Sequence, residues 1–254
     1  MNGKKLFEGI PDSFLMGIIP FAYLFFYLYY ISLKGTFLSI YEFYSLNLLP
    51  LLFIVSIRGS AFFDAIGLDL DNAPIHIVIG RLLILVFVGI VFGFSVYKFF
   101  NLLGMQLFPF DFFYLQLTTA NPFMLSIIDT GIVAFFEEVI RVVPMLIFIN
   151  AFYKKGFKEG DSIIYGVFLS SFLFILMHFF AWSGLNMMNV LVMTTTVIFM
   201  TLSGWLLYHR QLWGPLTFVE FSLISPMAFH FTYDISINLS LRVLSILPMA
   251  LGLI

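Results

Sequence analysis

The sequence predicts an all-α fold: a polytopic membrane bundle of about eight transmembrane helices, with an active site buried within the bundle. Three observations predict it. Of 254 residues, 61% are hydrophobic and 20% aromatic, while only 10% are charged, against about 25% in a soluble domain. The mean hydropathy is +1.05. The apolar residues fall in runs that reach the roughly 20 residues a helix needs to cross a bilayer core. Such a chain cannot coat a surface facing water, which excludes a soluble enzyme, a disordered protein and a nucleic-acid binder. Its net charge of -2 offers nothing to a phosphate backbone. Cysteine is absent, which removes disulfides, a thiol nucleophile and cysteine metal sites.

Each span follows from its own residues. Residues 14–33 carry no charge and follow Lys4 and Lys5. They are long for a signal-peptide core, and no small-x-small cleavage site follows, so they read as a retained first span. A second fits 37–57, with Glu42 near one end, and a third 75–97, with Arg81 near its start. A fourth runs over about 122–149 and contains Asp129, Glu137, Glu138 and Arg141. Residues 162–208 hold no Asp, Glu, Lys or Arg. That is too long for one helix, and Ser183-Gly184 with Asn186 divides it into spans five and six. A seventh covers about 212–239. The last, 241–254, is short and reads as a partial span or a tilted tail. The connection 58–74 carries Asp64, Asp69 and Asp71 and reads as a solvated loop. The connection 98–121 mixes Phe, Leu and Tyr with Pro109 and Asp111, as an interfacial or re-entrant piece would. Within one integral membrane domain, residues 1–121 supply N-terminal helices and loops, and 122–254 the core that carries the polar residues.

Orientation follows from the basic residues. With the N terminus in the cytoplasm, the inner segments collect Lys4, Lys5, Arg58, Arg81, Lys154, Lys155, Lys158 and Arg210, and the outer ones Lys34, Lys98 and Arg242. The excess of Lys and Arg inside favours that orientation.

Function is sought where charge is expensive. An ionisable group at mid-bilayer costs at least about 2.5–3.5 kcal/mol, and span four carries three close together. An internal salt bridge would explain one acid and one arginine; a second adjacent glutamate exceeds that need. Glu137 and Arg141 are four apart and Glu138 and Arg141 three apart, so either glutamate can meet the arginine. The glutamates diverge by about 100° around a helix, so one can hold Arg141 while the other points to a second site. Pro144 removes the hydrogen bond to the Ile140 carbonyl and helps shape a polar pocket. In span five, Ser171, Phe174 and His178 share a face at offsets of three and four. Ser170 and Ser171 also suit plain close packing of helices, and His178 alone could be a satisfied core histidine. In span seven, His230 and Asp234 are one turn apart, able to form a buried ion pair or to orient a shared ligand; Pro226 frees the Ser222 carbonyl, and Glu220 reads as an end-of-helix or cavity-wall group. His76 and His209 fall at span ends. Two buried imidazoles and a diglutamate on three helices suit proton-transfer chemistry, with a glutamate out of water as general base.

These residues resemble the CAAX prenyl endopeptidase and bacteriocin-processing (CPBP, or Abi) family of intramembrane proteases. Its first motif, a diglutamate followed by an arginine, corresponds to Glu137-Glu138-Val139-Ile140-Arg141. Two residues separate the second glutamate from the arginine where the family has three, which on an ideal helix sets Arg141 beneath Glu137 rather than Glu138. Its Phe-x-x-x-His motif corresponds to Phe174 through His178, preceded by the serine pair Ser170-Ser171. Its His-x-x-x-Asn/Asp motif corresponds to His230 through Asp234. The resemblance covers about 127–239.

The resemblance implies endoproteolysis within the membrane, in a prokaryotic cell membrane. It implies Glu137 or Glu138 as the base that activates water, with Arg141 holding the other. It implies His178 as proton-transfer partner and His230 with Asp234 as the oxyanion or substrate-orienting pair, with Phe174 and Ser171 in support. The partners implied are the lipid bilayer and a membrane protein or lipidated peptide as substrate. No cofactor is required in this reading; the zinc signature HExxH is absent, though His178, His230 and Glu137 could hold zinc. Two other classes stay open: a non-catalytic membrane scaffold or immunity protein of the same fold, and a proton-coupled transporter, against which the lack of an internal repeat argues.

Overall fold

A computed structural model describes residues 10–34, 48, 52, 75–102, 123–179, 187–208 and 227–236. Among them are six helices and no strand: α1 (Phe14–Lys34), α2 (Ile75–Leu102), α3 (Phe123–Lys154), α4 (Glu159–Met177), α5 (Met187–Tyr208) and α6 (residues 227–236). The expected spans over 37–57 and 241–254, the loop 58–74, most of the connection 98–121, and Glu220 and Pro226 lie outside the described residues. One described helix, Glu159–Met177, is long and apolar enough to cross a membrane by length and composition; Phe14–Tyr30, Leu82–Val96 and Val190–Leu202 are shorter apolar stretches.

The helix boundaries have local causes. α3 runs past the expected end at 149 to Lys154 because nothing breaks it before Gly156. Gly156 has φ +90, a left-handed conformation that favours glycine. Around it Phe157 N–H donates to the Phe152 carbonyl at 3.3 Å and Gly156 N–H to the Tyr153 carbonyl at 3.0 Å. Those two bonds are the Schellman stop, and its usual apolar clasp is present as well: the Phe152 and Phe157 rings meet edge-on at 5.5 Å. Glu159 and Asp161 then lie in the first turn of α4, where carboxylates favour the positive end of the helix dipole. Short turn and antiparallel partner follow together, so α4 folds back on α3. Gly166 makes the approach close: a Cβ there would meet the Ile149 backbone nitrogen at 2.9 Å.

α3 is the central helix. Every residue from Glu138 to Ala151 is buried, which the neighbours explain: α1 and α4 pack along it, and α5 packs on α4 and α2. The α1 entry is tied down at Asn150, whose Nδ2 donates to the Ile10 carbonyl at 2.7 Å, and Lys155 lies over the Phe14 ring at 4.6 Å. One apolar cluster joins Phe21 and Leu24 of α1, Ile140 and Phe148 of α3, Phe174 of α4, and Val197 of α5. A second joins Leu85 of α2, Met200 of α5, and Phe229 and Tyr233 of α6. α5 thus serves both clusters.

α6 seats on α2 through small residues. A Cβ on Gly89 would collide with the Thr232 hydroxyl and stand 3.0 Å from the Phe229 carbonyl oxygen. One on Gly93 would collide with Ser236 and stand 2.9 Å from the Tyr233 carbonyl oxygen. Two glycines four apart on α2 face two hydroxyl residues four apart on α6, the small-xxx-small pattern that lets backbones approach. The outward faces stay apolar: Leu15, Phe26 and Leu33 of α1, Leu83 and Phe87 of α2, Ile164 and Phe168 of α4, and Leu191 of α5 are all exposed.

Candidate functional site

Four helices bring the singled-out polar residues to one place. α3 supplies Glu137, Glu138 and Arg141. His178 stands just past α4 as its cap residue, with φ -80 and ψ 0. α6 supplies His230 and Asp234, and α5 contributes Thr201.

The two glutamates take separate roles, as their divergence around the helix requires. Glu138 is buried to 1% side-chain exposure and forms a salt bridge with Arg141 through Oε2. Its other oxygen, Oε1, accepts a hydrogen bond from His230 Nδ1 at 2.8 Å. Both oxygens are therefore committed. Glu137 keeps 21% side-chain exposure and faces the rings instead: Oε1 lies 3.7 Å from His178 Nε2 and Oε2 lies 3.5 Å from His230 Nε2. The expectation that Arg141 would sit beneath Glu137 is thus overturned; the arginine takes the partner three residues back. The reason lies across the helix. Glu138 lies between Arg141 and His230 Nδ1, and Thr201 of α5 holds the other end of the guanidinium.

The ring orientations follow from the backbone. His178 Nδ1 donates to the Phe174 carbonyl at 2.7 Å, one turn back on the same helix, and the Phe174 ring meets the imidazole edge-on at 4.9 Å. With Nδ1 so engaged, Nε2 is the nitrogen left to face Glu137. His230 is fixed likewise by Glu138, leaving Nε2 to face Glu137 and Asp234 Oδ2, the latter at 3.4 Å. Separations of 3.4–3.7 Å exceed a direct hydrogen bond. The two Nε2 atoms and the Glu137 and Asp234 carboxylates thus converge on one gap.

Arg141 is as buried as its partner. Besides Glu138, its Nη1 donates to the Thr201 hydroxyl, and its backbone carbonyl accepts from the Ser170 hydroxyl at 2.6 Å. Ser170 thus bonds the carbonyl next to the one that Pro144 frees. The Ser171 hydroxyl is buried with no hydrogen-bond partner among the described residues.

Sequence reasoning missed Thr201. A threonine in an uncharged span gives no sign of its role; the available signal was that an arginine with five N–H donors needs more than one carboxylate. It also missed Gly89 and Gly93, whose four-residue spacing was the visible cue. The side chain of Asp129 lies outside the described residues.

Two imidazoles and a carboxylate are zinc-type donors by chemistry. Among the described residues, however, no group of three or more His, Cys, Asp or Glu side chains is arranged to hold a metal ion. Comparison with protein-family models, with curated proteins and with solved structures returned no match.

Proposed function

We propose that this protein is an intramembrane endopeptidase of the CAAX prenyl protease-like (CPBP) type, cleaving a membrane protein or lipidated peptide with water activated by Glu137. The observation that carries the reading is the position of one carboxylate, Glu137, 3.5–3.7 Å from both imidazoles. That spacing accommodates a water held between an acid and two rings.

Glu137 takes a proton from water, and the hydroxide oxygen bonds to the scissile carbonyl carbon. Protonated His230, held by Glu138 and flanked by Asp234, offers Nε2–H as a hydrogen bond to the oxyanion that forms and keeps that proton when the carbonyl re-forms. His178 with Glu137 returns the proton to the amide nitrogen as the C–N bond breaks, releasing amine and carboxylic acid. Glu138 and Arg141 stay paired and hold His230 in place.

The bilayer is the proposed surroundings, with about eight spans in one integral membrane domain and the N terminus in the cytoplasm. The exposed apolar side chains on α1, α2, α4 and α5 support it, since a water-facing surface of that kind is rare. The experiment is to incubate protein reconstituted in vesicles with farnesylated and unmodified membrane peptides, and with a whole membrane proteome, and to map new termini. New termini made by wild type and absent with Glu137→Gln and His178→Ala support the peptidase. Full biological function in both variants, or proton flux through the vesicles without cleavage, points to a scaffold or a transporter instead.

A further inference from the structure

We propose that Thr201 is a positioning residue of the site: its hydroxyl holds the Arg141 guanidinium, and through it sets the Glu138 carboxylate against His230. The activity arm of the test rests on the peptidase reading; the geometry does not.

Arg141 is 1% exposed, and its guanidinium has five N–H donors and no acceptor. Nη2 reaches Glu138 and Nη1 reaches Thr201, while Nε has no partner among the described residues. The orientation of Thr201 is itself fixed. Its hydroxyl proton goes to the Val197 carbonyl one turn back, at 2.8 Å, and its branched Cβ restricts the rotamer. The oxygen lone pairs are left to face Arg141. Thr201 is fully buried, on the helix that contributes to both apolar clusters, so its backbone is well anchored.

Four hydrogen bonds then join five groups in series: Val197 carbonyl, Thr201 hydroxyl, Arg141 guanidinium, Glu138 carboxylate, and His230 Nδ1 at the end. Removing the hydroxyl leaves Nη1 without an acceptor beside an already bare Nε. The guanidinium is then free to swing, Glu138 Oε2 follows it, and the 2.8 Å bond from His230 to Oε1 lengthens. His230 Nε2 loses its aim at the gap it shares with Glu137.

The test uses the full chain in lipid nanodiscs with ¹⁵N-labelled histidine. The His230 ring N–H signal is assigned by its loss in His230→Gln. Wild type gives a strongly downfield Nδ1–H, the signature of a bond to a carboxylate. Thr201→Val, of equal volume, moves that signal upfield or broadens it away, and Thr201→Ser, which keeps the hydroxyl, restores it. In the cleavage assay Thr201→Val lowers kcat by about tenfold or more at unchanged KM, the worth of one hydrogen bond to a charged group, and Thr201→Ser restores the rate. An unmoved signal in folded Thr201→Val overturns the proposal. So does a Thr201→Ser signal displaced from that of wild type, which also decides the matter if the valine variant does not fold. If wild type cleaves nothing, the peptidase reading falls and the ring signal alone decides the role of Thr201.

Discussion

Glu138 Oε1 lies 2.8 Å from His230 Nδ1, joining α3 to α6 through a carboxylate whose other oxygen is held by Arg141. This one relationship divides the diglutamate. The glutamate bound on both oxygens is an anchor, and its neighbour is the one left to face both imidazoles.

The division predicts opposite phenotypes for two single-atom-type changes. Glu138→Gln leaves Arg141 buried without its counter-charge, and breaking one side of a buried pair costs about 3–5 kcal/mol. Thermal unfolding in detergent is expected to show a large drop in midpoint for Glu138→Gln. Glu137→Gln, at a partly exposed side chain, is expected to change stability by about 1 kcal/mol or less, with little movement of the midpoint. Equal destabilisation by the two would contradict the assignment.

Gly89 and Gly93 are expected to control the site without touching it. Any side chain at Gly89 must displace Thr232 or the Phe229 backbone, and one at Gly93 must displace Ser236 or the Tyr233 backbone. Overpacking of this sort costs about 1–3 kcal/mol and pushes α6, with His230 and Asp234, off α2. Gly89→Leu and Gly93→Leu should therefore depress turnover far more than Gly80→Leu, where a Cβ meets nothing. Comparable rates in all three would show that the α2–α6 approach does not set the site.

Much of this was legible in the sequence, for physical reasons. Charges in an apolar run are costly enough that Glu137, Glu138, Arg141, His178, His230 and Asp234 mark themselves, and the structure brings all six together. The all-α class, and the presence of two helices within 162–208, were legible from apolar length and from the Ser183-Gly184 pair in the sequence. What did not follow was which glutamate pairs with Arg141. A helical wheel ranks positions on one helix, but here α5 and α6 choose, by offering Thr201 and His230 to the Glu138 side. Thr201 was illegible for the same reason: a helical threonine that bonds its own backbone looks the same in sequence whether or not an arginine reaches it. The glycine pair on α2 shows its spacing but not its partners, because helix approach is settled by the tertiary fold. α3 continues five residues past the expected span over about 122–149, since the signal for its end is Gly156 rather than loss of apolar character.

Gly156 yields a prediction with no bearing on chemistry. Its φ of +90 is costly for any side chain, and Gly156→Ala is expected to lose about 1–2 kcal/mol of stability. A Cβ there meets nothing, so the loss is backbone strain alone. Unfolding of the purified variant measures it, and cleavage per folded molecule should stay at the wild-type value; an unchanged midpoint would mean that the turn adopts another form.

Metal dependence separates the glutamate-water scheme from a zinc scheme built on the same donors. Cleavage is expected to persist after dialysis against 1,10-phenanthroline and EDTA. Loss of activity restored by added zinc would require His178, His230 and Glu137 to act as ligands rather than as proton carriers.

The most direct measurement is the single-turnover cleavage rate of Glu137→Gln against wild type in the same vesicles, with the unfolding midpoint recorded for both. The account predicts a rate lower by about 10²–10⁴-fold, the contribution of a positioned general base, in a protein that unfolds at the wild-type temperature. A Glu137→Gln protein that cleaves as fast as wild type would contradict it.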